Sequence, residues 1–176
     1  KKFSEQLFDS VARIQTMGSI HELLYQSESF SQLNFDDNIK KLVNEIAHTF
    51  QTDFALSVNY ELEPVELNIN QAIPSSLIIN EVITNIIKHA FDEGKNGNII
   101  VSLSEQDQQI ALTVKDNGKG LPANFNNMMT DKTLGLKLID TLAEQLEANY
   151  SYDSLGNGTR FNLSFQKAEP KGIGSA

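Results

Sequence analysis

The sequence predicts an α+β fold, a two-layer α/β sandwich with helices on one face of a mixed sheet, preceded by a long helix. Several stretches repeat apolar residues at three- and four-residue steps, as helices do, and several shorter ones alternate apolar and polar residues, as strands do. Along the core the order is helix, strand, helix, two strands, loop, helix and two strands. At 176 residues, 40% of them hydrophobic, the chain has room for one domain and a helical appendage.

The long first helix is predicted over Lys1 to about Tyr25, a stretch without proline. Its apolar stripe consists of Phe3, Leu7, Val11, Ile14, Met17 and Leu24. Phe8, Ile20 and Leu23 make this stripe wider than a single exposed helix should show. We therefore expect a partner helix, which a second copy of the chain would supply.

A second helix is predicted after the polar connection at residues 27–34. Asp36 or Asp37 can cap this helix, which should run to about Phe50. The residues expected to be buried on it are Ile39, Leu42, Val43, Ile46 and Ala47. Residues 55–62, ALSVNYEL, then alternate as a strand that Pro64 limits.

The rest of the core is read in the same way. Ser75 or Ser76 is expected to cap a strongly apolar helix from Leu77 to about Phe91. Residues 121–132 contain proline and several asparagines without a clear period, which predicts a loop. The remaining elements are strands at 98–104 and 110–114, a helix marked by Leu134, Leu138, Leu142 and Leu146, and closing strands at 150–152 and 160–165.

Composition excludes several classes of function. With 14 Lys and Arg against 23 Asp and Glu, the net charge of −9 argues against a duplex nucleic-acid binder, although one phosphate-bearing small molecule stays possible. The chain has no cysteine, which excludes disulfides, thiolate zinc sites and cysteine nucleophiles. It shows no signal peptide and no apolar run of the ~20 residues that a bilayer span needs. We therefore expect this stretch to be soluble, and because it begins without Met, we interpret it as part of a longer protein.

The helix at 77–91 carries a narrow polar stripe. At about 100° per residue, Glu81, Asn85, Lys88 and Asp92 fall on one line, while Val82, Ile86 and other apolar residues cover the opposite half. The simpler interpretation is a stripe that faces water. The functional interpretation places Asn85 on a metal ion, Lys88 on phosphate and Glu81 on a water molecule.

Glycines mark three further segments. Residues 114–121, VKDNGKGL, are either a hairpin turn or a carboxylate followed by bare backbone that a ligand can approach. Residues 133–136, TLGL, stand where the loop becomes a helix, whose free amides suit phosphate oxygens, although glycine there is often only tolerated. Residues 156–160, GNGTR, are predicted to be a β-hairpin turn from which Thr159 can still point into a site.

Together these segments resemble the GHKL ATPases. The resemblance rests on NEVITNIIKHAF at 80–91, Asp116-x-Gly118-x-Gly120, Leu134-Gly135-Leu136 and Gly158-Thr159, in the order and spacing of that superfamily. It is closest to sensor histidine kinases of the two-component systems. Residues 13–27, RIQTMGSIHELLYQS, are similar to the helix that precedes the nucleotide box in one subfamily. The resemblance covers roughly residues 5–166 and implies a Bergerat-type ATP-binding fold.

The resemblance also implies a role for each matching residue. Asn85 would hold the Mg²⁺ that bridges the ATP phosphates, Lys88 would contact phosphate, and Glu81 would act as a base or orient a water or histidine. His89 would lie beside the nucleoside, and Asp116 would accept the adenine amino group. Residues implied in the flexible lid and its closing end are Gly118, Gly120, Leu134, Gly135 and Leu136, with Thr159 as a further nucleotide contact.

The sequence departs from the kinase pattern in its histidines. The phosphoacceptor of such kinases lies on the first helix of a helical hairpin, and we expect it to precede this chain. His21 falls in the second-helix motif and is interpreted as a packing residue, while His48 matches no motif. The segment at 121–132 is a short lid without a phenylalanine-rich box, although Phe125 is present.

The sequence is therefore interpreted as the ATP-binding catalytic region of a sensor histidine kinase. The expected domains are the second dimerisation helix at 1–30, the catalytic domain at 31–168 and a disordered tail at 169–176. Expected cofactors and partners are ATP, Mg²⁺, a second copy of the chain and the receiver domain of a response regulator, without nucleic acid. The expected location is cytoplasmic, with a membrane contacted only through segments upstream. The alternatives are a GHL-type ATPase and a docking scaffold without kinase activity.

Overall fold

The computed structural model describes residues 32–50, 55–92, 96–123, 125 and 133–168, together with Gly18. The predicted first helix, Gly18 apart, and the predicted tail at 169–176 lie outside the described residues. The elements in chain order are β1 Leu33–Asn34, α1 Phe35–Thr49, β2 Leu56–Leu62, β3 Glu66–Leu67, α2 Ile69–His89, β4 Gly97–Gln106, β5 Gln109–Asp116, α3 Leu134–Gln145, β6 Asn149–Ser154 and β7 Thr159–Gln166.

The main sheet has five strands in the order β2-β4-β5-β7-β6. β2 and β4 run parallel, whereas the other neighbouring strands are antiparallel, so the predicted mixed sheet is confirmed. The connection from β2 to β4 contains α2, as a parallel crossover requires. A two-residue ladder between β1 and β3, which the sequence did not predict, precedes α2.

The core lies between this sheet and the helices. Along β4, β5 and β7 every second residue is buried, and the buried set includes Val101, Leu112 and Phe161. The apolar faces of α1, α2 and α3 belong to the same cluster. Burying one such side chain stabilises the fold by about 1.5–3 kcal/mol. The two-layer α/β sandwich is thus confirmed.

α2 begins earlier than predicted. Its first residue is Ile69 rather than Leu77, and the cap is Asn68, whose side chain accepts the Gln71 N–H at 3.0 Å. Ser75 and Ser76 are fully buried inside the helix instead of capping it, and the Ser76 hydroxyl donates to Asn38 Oδ1 on α1 at 2.9 Å. Pro74 lies inside this helix. The helix continues through it because burial of this face outweighs the backbone hydrogen bond that proline lacks.

α1 also begins without the predicted cap. Asn34 occupies the cap position and its side chain makes no cap hydrogen bond, while Asp36 and Asp37 lie in the first turn. There their negative charges interact favourably with the positive end of the helix dipole. The start is fixed by Phe35, which is fully buried and donates its N–H to the Val65 carbonyl at 2.8 Å. Of the residues predicted to be buried, Ala47 is only half-buried.

Candidate functional site

A cavity of about 640 Å³ opens between α2, the carboxyl end of β5, the β6–β7 hairpin and the start of α3. Its wall combines apolar side chains with a few polar groups, a composition typical of small-molecule sites. The lining residues are Val82, Asn85, Ile86, His89, Ala90, Val114, Asp116, Lys119, Gly120, Leu121, Pro122, Phe125, Thr133, Leu136, Tyr152, Thr159 and Phe161. Most of the residues that the sequence singled out therefore meet here.

Asp116 is the buried carboxylate of the cavity. It ends β5, is 2% exposed, and accepts the Gly118 N–H at 2.7 Å on one oxygen and the Thr159 N–H at 3.2 Å on the other. Burial raises the pKa of this carboxyl above its ordinary value, and the backbone N–H groups lower it by less. The two hydrogen bonds hold both oxygens in place, so the carboxylate is a preorganised acceptor.

Glycines allow the backbone to close around Asp116. A Cβ on Gly118 would stand 2.3 Å from the Ala90 carbonyl oxygen, where the neighbouring Lys119 N–H donates at 2.9 Å. Gly158 has φ +97°, and a Cβ there would stand 1.9 Å from the carbonyl oxygen of Asp116. The segment after Asp116 therefore turns onto the end of α2 and does not form a hairpin. The segment at 156–158 does connect β6 to β7 as a hairpin, as predicted.

The face that α2 turns to the cavity differs from the predicted polar stripe. Val82, Asn85, Ile86 and His89 line the cavity, so two residues assigned to the opposite half form part of its wall. Glu81 and Lys88 lie about 40–60° beyond Asn85 around the helix. Neither lines the cavity in the described structure. The predicted stripe was based on polar residues alone, whereas a small-molecule site also has apolar walls.

Glu81 and Lys88 have defined surroundings outside the cavity wall. Glu81 is 5% exposed and lies near Tyr152, whose pKa is raised mainly by burial and further by Tyr150 and Glu81. The Lys88 ammonium lies 5.6 Å from the ring centroid of Phe50, the residue that follows α1. Glu81 and Lys88 each have further interactions within the protein.

The start of α3 forms another wall. Thr133 is its cap, and the side-chain oxygen accepts the Leu136 N–H at 3.4 Å. Leu136 is buried and lines the cavity, whereas Leu134 is 71% exposed. Gly135, half-buried between them, does not line the cavity in the described part of the chain, and neither does Gly118.

Aromatic residues that sequence reasoning did not assign to the site cover its far side. The Tyr152 ring lies 4.9 Å from that of Phe161 and 5.2 Å from that of Phe125, the latter edge-on. Tyr150 stands behind them, with its hydroxyl donating to Asp140 on α3. The alternation in β6 and β7 places these tyrosines and Phe161 on the inner face, a signal that predicts inward-facing side chains but does not assign them to a site.

A pH titration of Tyr150 and Tyr152 tests whether this wall is buried in the folded protein. Burial raises the pKa of Tyr150 and Tyr152 well above its ordinary value, and for Tyr150 the Asp140 carboxylate adds to this shift. Their contribution to folding stability is complete below the ordinary tyrosine pKa of about 10 and is lost as pH rises through the shifted values. We expect no phenolate absorbance from either residue at a pH of about 11 until the protein unfolds. Spectrophotometric titration of the Tyr150→Phe and Tyr152→Phe variants measures this, and phenolate absorbance that either variant removes from the folded protein would contradict it.

The chemistry of the cavity fits a magnesium nucleotide. A fixed carboxylate suits an exocyclic amino group, the apolar walls suit a base, and the Asn85 amide is a hard oxygen ligand. Within the described ranges no cluster of three or more histidine, aspartate or glutamate side chains could hold a metal ion. No helix in these ranges is long and apolar enough to cross a bilayer.

Comparison with family models gives two matches. The model described as "Histidine kinase-, DNA gyrase B-, and HSP90-like ATPase" matches residues 72–169. A second model, described as "Histidine kinase", matches residues 1–50. The first match contains the cavity-lining parts of α2, β5, α3, β6 and β7.

Two individual relatives share less than 30% sequence identity with this chain. The sensor histidine kinase PdtaS of Mycolicibacterium smegmatis is 28% identical over 142 residues, which are 78% of this chain and 28% of that protein. The blue-light-activated histidine kinase 2 of Erythrobacter litoralis is 27% identical over 118 residues, covering 66% of this chain and 34% of that protein. The chain thus spans about a third of these relatives' length or less.

Solved structures show the same fold. The histidine kinase domain of a blue-light activated histidine kinase from Erythrobacter litoralis superimposes with a TM-score of 0.79 at 21% identity, covering 90% of this chain and 75% of that one. The catalytic domain of histidine kinase ThkA superimposes with a TM-score of 0.64 at 13% identity, covering 78% and 95%. At these identities the likeness concerns the fold alone.

Proposed function

Because the chain belongs to the family of histidine kinase-, DNA gyrase B- and HSP90-like ATPases, we propose that it binds ATP together with Mg²⁺ as the catalytic region of a sensor histidine kinase. The observation that carries this proposal is the Asp116 carboxylate, 2% exposed in the cavity wall and held by two backbone N–H groups. Such an acceptor fits the amino group of adenine. The apolar side chains of Val82, Ile86 and Val114 would contact the base.

The other lining residues would position the phosphates. Asn85 would hold Mg²⁺, which when bound neutralises the charge that builds up on the transferring phosphoryl group. His89 would lie beside the nucleoside, and the backbone N–H groups at the start of α3 would face phosphate oxygens. Glu81, one turn before Asn85, is buried outside the cavity wall and would orient the incoming imidazole only after its side chain turns toward the cavity. Catalysis would then rest on positioning and on charge neutralisation.

The proposed reaction transfers the γ-phosphoryl group of ATP to a histidine upstream of this chain. The unprotonated nitrogen of the imidazole attacks the γ-phosphorus, the bond to the bridging oxygen breaks, ADP leaves, and the other ring nitrogen loses its proton to a base. The phosphoryl group would then pass to an aspartate of a response regulator. We propose that residues 1–30 pair with those of a second copy, and that this chemistry takes place in the cytoplasm, where ATP is supplied.

Two measurements test the proposal. Calorimetry with the wild-type protein should give heat for ATP and more affinity when Mg²⁺ is present, and no heat at millimolar ATP would reject nucleotide binding. The chain alone should not label itself from radioactive ATP, but it should phosphorylate a separately supplied helical domain that carries the upstream histidine. Acid-labile label on His21 would show that the phosphoacceptor is misassigned. Rapid ATP turnover by the chain alone would favour the GHL-type ATPase.

Asn85→Ala tests the magnesium role separately from base recognition. The change removes a single oxygen ligand and leaves Asp116 untouched, so we expect affinity for ATP with Mg²⁺ to fall about tenfold, as one charge-assisted contact implies. Affinity without Mg²⁺ should change much less, and transfer to the supplied helical domain should be lost. Calorimetry with and without the ion measures the difference. An equal loss in both conditions would show that Asn85 contacts the nucleotide and not the metal.

A further inference from the structure

Lys88 is separated from the cavity by its position on α2. It lies about 60° around the helix from Asn85, outside the cavity wall, and its ammonium is 5.6 Å from the centroid of the Phe50 ring. A cation within about 6 Å of an aromatic ring is attracted by the negative face of that ring. Since a lysine side chain is long and flexible, its charge has more than one position within reach.

Phe50 is well placed to hold this cation. It follows the last turn of α1, is half-buried, and donates its backbone N–H to the Ile46 carbonyl at 3.2 Å. α1 packs against α2 through buried residues of both helices, including the Ser76 to Asn38 hydrogen bond. The ring therefore lies directly after the neighbouring helix α1 and is held next to the last turn of α2, where Lys88 lies.

We propose that Phe50 is a positioning residue that holds the Lys88 ammonium away from the phosphate end of the cavity, and that the phosphates of ATP must draw it from the ring. This inference rests on the proposed function, because it requires Lys88 to contact phosphate in the bound state. It makes the end of α1 part of the nucleotide response. An element outside the cavity would thereby set the affinity for the phosphates without contacting them.

The binding experiment replaces Phe50 with leucine, which keeps an apolar side chain and removes the aromatic face. A cation–π contact at a partly exposed position corresponds to a factor of about two to five in an equilibrium. We expect Phe50→Leu to bind ATP about two- to fivefold more tightly than wild type at low ionic strength. Adenosine, which has no phosphate, should bind equally to both proteins, whereas a general structural effect would change the two ligands together.

Two further variants isolate the contact. Phe50→Tyr keeps the ring and should behave as wild type. In a Lys88→Met background, Phe50→Leu should produce no gain, because the cation is gone. If Phe50→Leu binds ATP no more tightly than wild type, or gains as much for adenosine, the inference is wrong while the proposed function stands. If wild-type protein binds no ATP, both are wrong.

A spectroscopic measurement covers the case in which Phe50→Leu is poorly folded. In wild-type protein the ring current of Phe50 should shift the proton resonances of the Lys88 side-chain CH₂ next to the ammonium upfield. Titration with ATP should remove this shift, and titration with adenosine should leave it. A Lys88 resonance that stays upfield in the ATP-saturated protein would overturn the inference.

Discussion

Gly158→Ala is expected to abolish nucleotide binding and to lower the free energy of unfolding by about 2–5 kcal/mol. The residue has φ +97°, a conformation that a residue with a Cβ rarely adopts, and its Cβ would stand 1.9 Å from the Asp116 carbonyl oxygen and 2.7 Å from the carbonyl carbon. The backbone must move apart to accept it. Because the next residue donates the Thr159 N–H to the Asp116 carboxylate, that movement removes one of the two bonds that fix the acceptor.

Gly156→Ala is the matched control, two residues earlier in the same turn. A Cβ at Gly156 would meet nothing within 4 Å, so we expect wild-type stability and wild-type affinity. Urea unfolding and calorimetry with ATP measure both variants. Equal behaviour of the two alanine variants would contradict the close packing of Gly158 on Asp116.

Asp116→Asn is expected to weaken the binding of ATP and ADP alike, by about tenfold to hundredfold. The change replaces one oxygen by a donor, so it removes the charged acceptor that we propose for the adenine amino group and turns an N–H toward a backbone N–H. A hydrogen bond to a charged group contributes about 1.5–3 kcal/mol, which gives this range. Because the proposed contact is to the base, which ATP and ADP share, the two nucleotides should lose similar factors, and a loss confined to ATP would contradict the assignment.

The stability of Asp116→Asn separates a binding defect from a folding defect. Burial raises the pKa of Asp116 in the folded state, so the folded protein gives up stability as pH rises through that raised value. A neutral amide avoids this loss. We therefore expect that near pH 7 the free energy of unfolding of the variant falls by less than its free energy of nucleotide binding. Between neutral and acidic pH, the free energy of unfolding of the variant should also change less than that of wild type. Urea unfolding across that pH range checks this.

The sequence predicted the strands well because an alternation of apolar and polar residues directly indicates a strand with one buried and one exposed face. The strands predicted at 55–62, 98–104 and 160–165 are present, and their observed ends lie within two residues of the predicted ones. The helix starts were predicted less well. A helix buried on several sides can begin before Pro74 or without a capping side chain, since packing then outweighs local preference. The β1–β3 ladder is too short to leave a pattern.

The site residues also differ in how well the sequence predicted them. Asp116, Gly120 and Thr159 were predicted from motifs, and each lines the cavity. Gly118 and Gly135 come from the same motifs but do not line it in the described part of the chain. Tyr152 and Phe161 escaped prediction because an aromatic residue on an inner strand face looks the same whether it fills the core or lines a ligand site. Lys88 was predicted from polarity along α2. Its position over Phe50 depends on a neighbouring helix, which the pattern along one helix does not contain.

The two bonds to Asp116 differ greatly in sequence separation, and this has a consequence for how the protein is made. Gly118 is two residues away, whereas Thr159 is 43 residues away on β7, the last described strand in the chain, which inserts between β5 and the edge strand β6. Such a distant pairing forms late, since a long loop must close first. On the ribosome the acceptor would gain its second bond only after β7 has emerged. A nascent chain that ends before Thr159 would therefore be unable to hold a nucleotide, however much of its sheet had already formed.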